Sequence, residues 1–141
     1  MINVLVIDDD KIDQQAVMRL LTNNGMKVTG ASSGKEALEI KQDFQCIIID
    51  YLLPDYDGVE LAKKFLQVTN TAIILITGQG DELLAVKALK SGVYDYIPKG
   101  DLSLLPQAII ASTKKNELQQ SDLKKLVELN DNLSKKLNGG I

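Results

Sequence analysis

The chain predicts an α/β protein with a doubly wound, five-stranded parallel sheet, and three observations predict it. Short apolar, β-rich runs alternate with longer stretches of helical period, giving five βα units. Four of the five strand candidates are continuous apolar runs, the pattern of strands buried on both faces. At 141 residues with 45% hydrophobic content, the chain suits one domain and has enough apolar material for a core. Right-handed crossovers would stack helices on both faces of the sheet.

Each element has its own justification. Val4-Leu5-Val6-Ile7 is an apolar run that ends in acids. Residues 11–23 place Ile12, Ala16, Val17, Leu20 and Leu21 on one helical stripe, with Asp10 as cap and Gly25 as stop. Lys27-Val28-Thr29 is a short, weaker strand. Ser33-Gly34-Lys35-Glu36 has the form of a capping box, opening a helix with Ala37, Ile40 and Phe44 inward. Residues 46–50 form the third strand. Asp57 caps a helix to about Val68, with Val59, Ala62, Phe65 and Leu66 inward. Residues 72–76 form a strand, 82–90 a helix and 94–97 a strand, and a final helix starts near Leu104.

Composition removes several classes of function. The net charge of −3 gives no bulk attraction to nucleic acid or to an anionic membrane. The single cysteine, Cys46, lies in an apolar run and implies a buried, inert thiol. Asp8, Asp9 and Asp10 interrupt the first apolar run, so it is not a signal peptide, and no stretch approaches the ~20 apolar residues of a membrane span. A cytoplasmic protein is expected. With no histidine, triads and His-metal sites are excluded, and any phosphohistidine must belong to another protein.

Doubly wound sheets place ligands beyond the carboxyl ends of their strands. Asp8, Asp9, Asp50, Thr77 and Lys99 stand at those ends. Carboxylates gathered there repel one another and raise their pKa values unless a positive charge sits between them. A hard divalent cation such as Mg²⁺ suits an all-oxygen set, Lys99 adds a further charge, and Thr77 a hydroxyl donor. Such a group matches phosphorylation of a carboxylate, where catalysis is mainly positioning and charge neutralisation. Taken singly, an Asp pair after a strand is often a cap, and a lone Lys or Thr there is usually solvated or in a turn. The joint placement is what points to chemistry.

At these residues the sequence resembles the receiver domain of two-component response regulators. Val4-Leu5-Val6-Ile7-Asp8-Asp9-Asp10 is similar to the family's first strand and acidic pair. Asp50-Tyr51-Leu52-Leu53-Pro54-Asp55-Tyr56-Asp57-Gly58 matches the pattern D-x-x-L/M-P-x-x-D-G. Ile74-Leu75-Ile76-Thr77-Gly78 and Tyr94-Asp95-Tyr96-Ile97-Pro98-Lys99 match the hydroxyl-bearing strand end and the aromatic-plus-lysine segment, and the correspondence runs from residue 2 to about 118. The resemblance implies the flavodoxin-like strand order 2-1-3-4-5. It implies Asp50 as phosphoacceptor, with Mg²⁺ on Asp9, Asp50 and the carbonyl of Leu52, and Asp8 nearby through water. It implies Thr77 and Lys99 on the phosphoryl oxygens, and Tyr96 as the aromatic that follows Thr77 when the fourth helix, fifth strand and fifth helix switch. The donor would be a sensor histidine kinase or phosphotransfer protein. Such a chain is not an enzyme on other substrates, contacts neither nucleic acid nor membrane directly, and reports to a downstream target or output domain that its sequence does not identify.

Two features depart from or refine the pattern. Gly100 stands where the family usually has proline. A cis bond before a non-proline residue costs about 2.5–4 kcal/mol, so a trans peptide is expected after Lys99, a change able to move that lysine and the loop after the fifth strand. Leu52 and Gln79 occupy the positions where family members modulate dephosphorylation; Leu52 cannot orient a water, and Gln79 has the groups to do so. The rivals are weaker. A dehalogenase-like phosphohydrolase would show D-x-D, and Asp50-Tyr51-Leu52 lacks the second acid. A pseudo-receiver would not need the full set of Asp8, Asp9, Asp50, Thr77 and Lys99.

Beyond residue 118, Leu123, Leu126, Asn130, Leu133 and Leu137 step by 3, 4, 3 and 4. That is a heptad seam with Asn at a position where it can specify two parallel strands. Two readings of segment 119–137 stay open, a frayed amphipathic helix and the start of a dimerising stalk, with a homodimer implied by the second. Residues 138–141 read as a helix stop and flexible end.

Overall fold

A computed structural model describes residues 1–78 and 82–139. Its strands are β1 (Asn3–Ile7), β2 (Lys27–Ala31), β3 (Cys46–Asp50), β4 (Ala72–Thr77) and β5 (Asp95–Pro98). Its α-helices are α1 (Lys11–Asn23), α2 (Gly34–Glu39), α3 (Gly58–Val68), α4 (Glu82–Lys90) and α5 (Leu105–Gly139). A 3₁₀ segment, Lys99–Leu104, joins β5 to α5. All strand pairs are parallel and the order is β2-β1-β3-β4-β5. No described helix is long and apolar enough to cross a membrane.

Alternation along each strand sorts the apolar side chains into two cores. Leu5, Ile7, Ile47, Ile49, Ile73 and Leu75 face Val59, Leu61, Ala62 and Phe65 of α3 and Leu84 and Ala88 of α4. Val4, Val6, Cys46, Ile48, Ile74, Ile76 and Ile97 face Val17 and Leu21 of α1 and Leu105 and Ile109 of α5. The central strand β3 is buried along its whole length, which is why it is apolar until Asp50. Cys46 is fully enclosed and burial pushes its thiol up to about 12, so it is inert at neutral pH.

Local capping chemistry sets where helices begin. The carboxylates of Asp10 and Asp57 and the hydroxyl of Ser33 each accept the backbone N–H three residues on, at 3.0, 2.8 and 3.1 Å. The capping box at α2 closes on a different residue: Glu36 accepts from the backbone N–H and hydroxyl of Ser32, not from Ser33.

Four expectations are corrected. Ile12 is 81% exposed and Ala16 is exposed; α1 is turned so that Gln14, Val17, Met18 and Leu21 face inward. The cause is polar: the Gln14 amide donates to the carbonyls of Val6 (3.2 Å) and Ala31 (2.9 Å), tying α1 to β1 and β2. Helix α2 stops at Glu39 because Ile40 is extended (φ −74°, ψ 118°); Phe44 is buried, but from a non-helical segment. The fifth strand begins at Asp95, and its last residue is Pro98, whose missing N–H needs no ladder partner at a strand end. Finally, α5 continues through Gly139, past the stop expected at Asn138; Gly140 and Ile141 lie outside the described residues.

Helix α5 has two parts. Leu105, Ile109 and Ser112 are buried against the sheet, and Asn116 is half-buried. Every residue from Glu117 to Leu137 is exposed. The stripe Leu105, Ile109, Ser112, Asn116, Gln119, Leu123 keeps the 4-3-4-3-4 stepping, so the bare seam prolongs the face that covers the sheet.

Candidate functional site

Strand geometry assembles the site. β1 and β3 are paired with Ile7 opposite Ile49, so Asp8 and Asp50 emerge side by side. Asp50 in turn lies opposite Ile76 of β4, one residue before Thr77. Thr77 lies opposite Pro98, one residue before Lys99. Four segments far apart in sequence therefore converge at one edge of the sheet.

Asp8, Asp50 and Thr77 are buried, at 5%, 6% and 3% exposure, whereas Asp9 is exposed. Asp8, Asp9 and Asp50 each bring a carboxylate oxygen within 4.8 Å of the others. The Lys99 ammonium lies 3.6 Å from the Asp50 carboxylate and 2.9 Å from that of Asp13. The Lys99–Gly100 peptide is trans, as expected where glycine replaces proline. The backbone N–H of Asp10 donates to Asp8 (2.9 Å), fixing that carboxylate's rotamer.

Burial dominates the electrostatics. It raises the Asp8 carboxyl to about 7, reinforced by the negative charge of Asp50 and opposed by the Asp10 amide and by Lys99. Asp50 is also raised by burial, less completely because Lys99 and hydrogen bonds favour its charged form. For Lys99 burial works downward, but the hydrogen bond to Asp13 and the charges of Asp50, Asp13 and Asp8 outweigh it, and the net displacement is upward. Raised pKa values on two buried carboxyls mark charge that the fold leaves only partly compensated, the condition in which a cation would be stabilising. All-oxygen donors, two of them buried carboxylates, suit a hard ion such as Mg²⁺. Asp8, Asp9 and Asp50 could hold it.

The loop after Asp50 is closely tied. The Gly58 N–H donates to the Tyr51 carbonyl (2.7 Å), and a short antiparallel bridge pairs Leu52 with Asp57. Leu52 is 71% exposed, so its side chain stands at the mouth of the site. Tyr96 lies opposite Leu75 and is half-buried on the α3/α4 side of the sheet, the side to which alternation also assigns Thr77. Gln79 lies outside the described residues.

Two participants were not singled out from sequence. Asp13, in the first turn of α1, is 86 positions from its partner Lys99, and no local pattern links them. The available clue was parity: continuing the strand alternation puts Asp8, Asp50 and Lys99 on the α1/α5 side, where that first turn also stands. Asp55 accepts from the backbone N–H groups of Gly34 (3.0 Å) and Lys35 (2.8 Å), joining the loop after β3 to the start of α2. A cleft of about 480 Å³ lies at the opposite, amino ends of β4 and β5, between Thr71, Tyr94 and Asn116. It contains none of the converging carboxylates.

Comparison with known proteins agrees with the fold. A parallel sheet with an acidic pair, a buried carboxylate and a lysine at its carboxyl edge is the arrangement of a receiver-type module. The chain belongs to the response regulator receiver domain family, whose model matches residues 4–110. It is 30% identical over 125 residues to the transcriptional regulatory protein SrrA of Staphylococcus aureus (strain NCTC 8325 / PS 47), covering 84% of this chain and 52% of that protein. This chain thus spans about half the length of the curated relatives it matches. The receiver domain of Francisella response regulator 1452 superposes with a TM-score of 0.77 at 32% identity, covering 82% of this chain and 98% of that one. A receiver domain protein from Clostridium thermocellum gives 0.78 at 30% identity, covering 84% and 99%.

Proposed function

We propose that this chain accepts a phosphoryl group on Asp50 from a phosphohistidine of a sensor histidine kinase or phosphotransfer protein, in a Mg²⁺-dependent reaction. The observation that carries the reading is the convergence of Asp8, Asp9 and Asp50, with Lys99 3.6 Å from the acceptor, in a chain of this family. An Asp50 carboxylate oxygen attacks phosphorus, the bond to the donor nitrogen breaks, and the product is an acyl phosphate. Mg²⁺ held by Asp8, Asp9, Asp50 and the Leu52 carbonyl would neutralise the charge that gathers on the phosphoryl oxygens. Lys99 supplies the protein's own positive charge to those oxygens, and the Thr77 hydroxyl donates to one of them.

Phosphorylation replaces one negative charge at Asp50 with about two. Thr77 is drawn toward the new oxygens, Tyr96 turns into the space behind it, and the surface of α4, β5 and α5 changes. This is a two-state equilibrium biased by a local charge. The chain promotes only its own phosphorylation and dephosphorylation, acts in the cytoplasm, and passes the signal to a downstream target or output domain. Its exposed α5 seam pairs two copies.

Incubation with a small phosphodonor and Mg²⁺, followed by intact mass measurement, tests the reading. A single adduct that is absent in Asp50→Asn supports it. Continuous release of phosphate without an adduct points to a hydrolase, and the absence of both points to a pseudo-receiver; either outcome overturns it.

A further inference from the structure

Lys99 sits between two carboxylates and is closer to the more exposed one. Its ammonium is 2.9 Å from Asp13 and 3.6 Å from Asp50, although the Asp13 side chain is 44% exposed and that of Asp50 only 8%. Attraction is stronger where water is excluded, so an unrestrained ammonium would close on Asp50. Asp13 is well placed to prevent this. Its backbone N–H is held by the Asp10 cap, and its carboxylate stands in the first turn of α1, where the helix dipole favours a negative charge. On the other side, Lys99 opens the 3₁₀ turn Lys99–Leu104, so its backbone is set by the turn and its ammonium by the carboxylates it meets.

We propose that Asp13 is a positioning residue that parks Lys99 at the rim of the acid cluster and so keeps Asp8, Asp9 and Asp50 open to a divalent cation. This rests on the reading of those three carboxylates as a Mg²⁺ site. Without Asp13 the ammonium moves onto Asp50, makes a direct ion pair and competes with the metal for the same oxygens.

A double-mutant cycle on Mg²⁺ affinity tests the idea, with ¹H–¹⁵N NMR titration of the full chain by MgCl₂ as readout. Asp13→Asn is expected to weaken Mg²⁺ binding by about two- to five-fold, the scale of a half-exposed ion pair. Asp13→Glu should restore most of the loss. Lys99→Met should tighten binding, and in that background Asp13→Asn should change affinity by much less. Equal effects of Asp13→Asn with and without Lys99 would mean that Asp13 acts only as a distant negative charge, and the proposal would fall. Amide spectra of each variant report folding independently of the metal. A wild-type chain that shows no Mg²⁺-dependent shifts near Asp8, Asp9 and Asp50 would overturn the metal-site reading itself, an outcome separate from failure of the cycle.

Discussion

The Thr77 hydroxyl is buried without a hydrogen-bond partner among the described residues. Such an orphan costs roughly 1–3 kcal/mol, so under the proposed function the group that binds the phosphoryl oxygens is a liability before they arrive. Thr77→Val, which removes the orphan at similar volume, should therefore leave the unmodified chain as stable or up to about 1 kcal/mol more stable by urea unfolding. The same variant should lose the phosphorylation-dependent change at Tyr96, read by NMR. Asp8 gives a second test at this scale. Its folded-state pKa, about 7, is above its ordinary value of 3.8, so the folded state holds the proton more tightly than the unfolded state. Asp8's contribution to stability is therefore full below about pH 4 and lost as pH rises to about 7. Thermal melts in a chelator should show this decline; Asp8→Asn should flatten it, and saturating Mg²⁺ should offset it. Leu52 belongs here as well: Leu52→Asn, which can orient a water, should shorten the lifetime of an Asp50 adduct measured by intact mass.

Among the elements, the segment joining β3 to α3 is closely held at Gly58. A Cβ at Gly58 would lie 2.8 Å from the Tyr51 Cα and 3.1 Å from Leu75. Backbone cannot yield as a flexible side chain can, so Gly58→Ala should destabilise the chain by about 1–3 kcal/mol in urea and displace the loop that follows Asp50. Helix starts were legible in sequence because a cap is a contact three residues long: Asp10, Ser33 and Asp57 each cap the helix that follows. Strands β1, β3 and β4 were legible because burial on both faces leaves an apolar run; the edge strands β2 and β5 are only partly buried and carry a weaker signal. Helix orientation was less so. Ile12 and Ala16 fit a helical stripe by spacing, but the interior side of α1 is set by Gln14 reaching two strand carbonyls, a tertiary contact that periodicity does not encode. Phe44 misled for the opposite reason, since a buried aromatic after a helix looks like its continuation. The five strand-end residues were placed in sequence, but their adjacency needed the strand order, which came from family resemblance. The Lys99–Asp13 pair needed that order and the α1 rotation together.

The whole molecule divides into a body that buries its apolar surface and a helical arm that does not. Leu123, Leu126, Leu133 and Leu137 are 53–75% exposed. A lone amphipathic helix with a bare seam has little to hold it beyond propensity, so the arm needs a covering surface to be firm. Sedimentation should show the full chain associating with concentration, and Leu126→Lys with Leu133→Lys should return it to monomer with loss of helicity. Ending the chain at residue 118 should leave the urea midpoint of the body nearly unchanged, because the residues removed through Leu137 are all exposed.

Helix α5 starts beneath the same sheet that carries Asp50 and continues without a break to Gly139. At 1.5 Å per residue, the portion from Glu117 onward projects roughly 34 Å. Geometry then supplies gain: tilting the anchored turns around Leu105 and Ile109 by about 5° sweeps the far end, roughly 45 Å away, through about 4 Å. A displacement too small to be conspicuous near Asp50 thus becomes, at the tip, comparable to the width of a side chain.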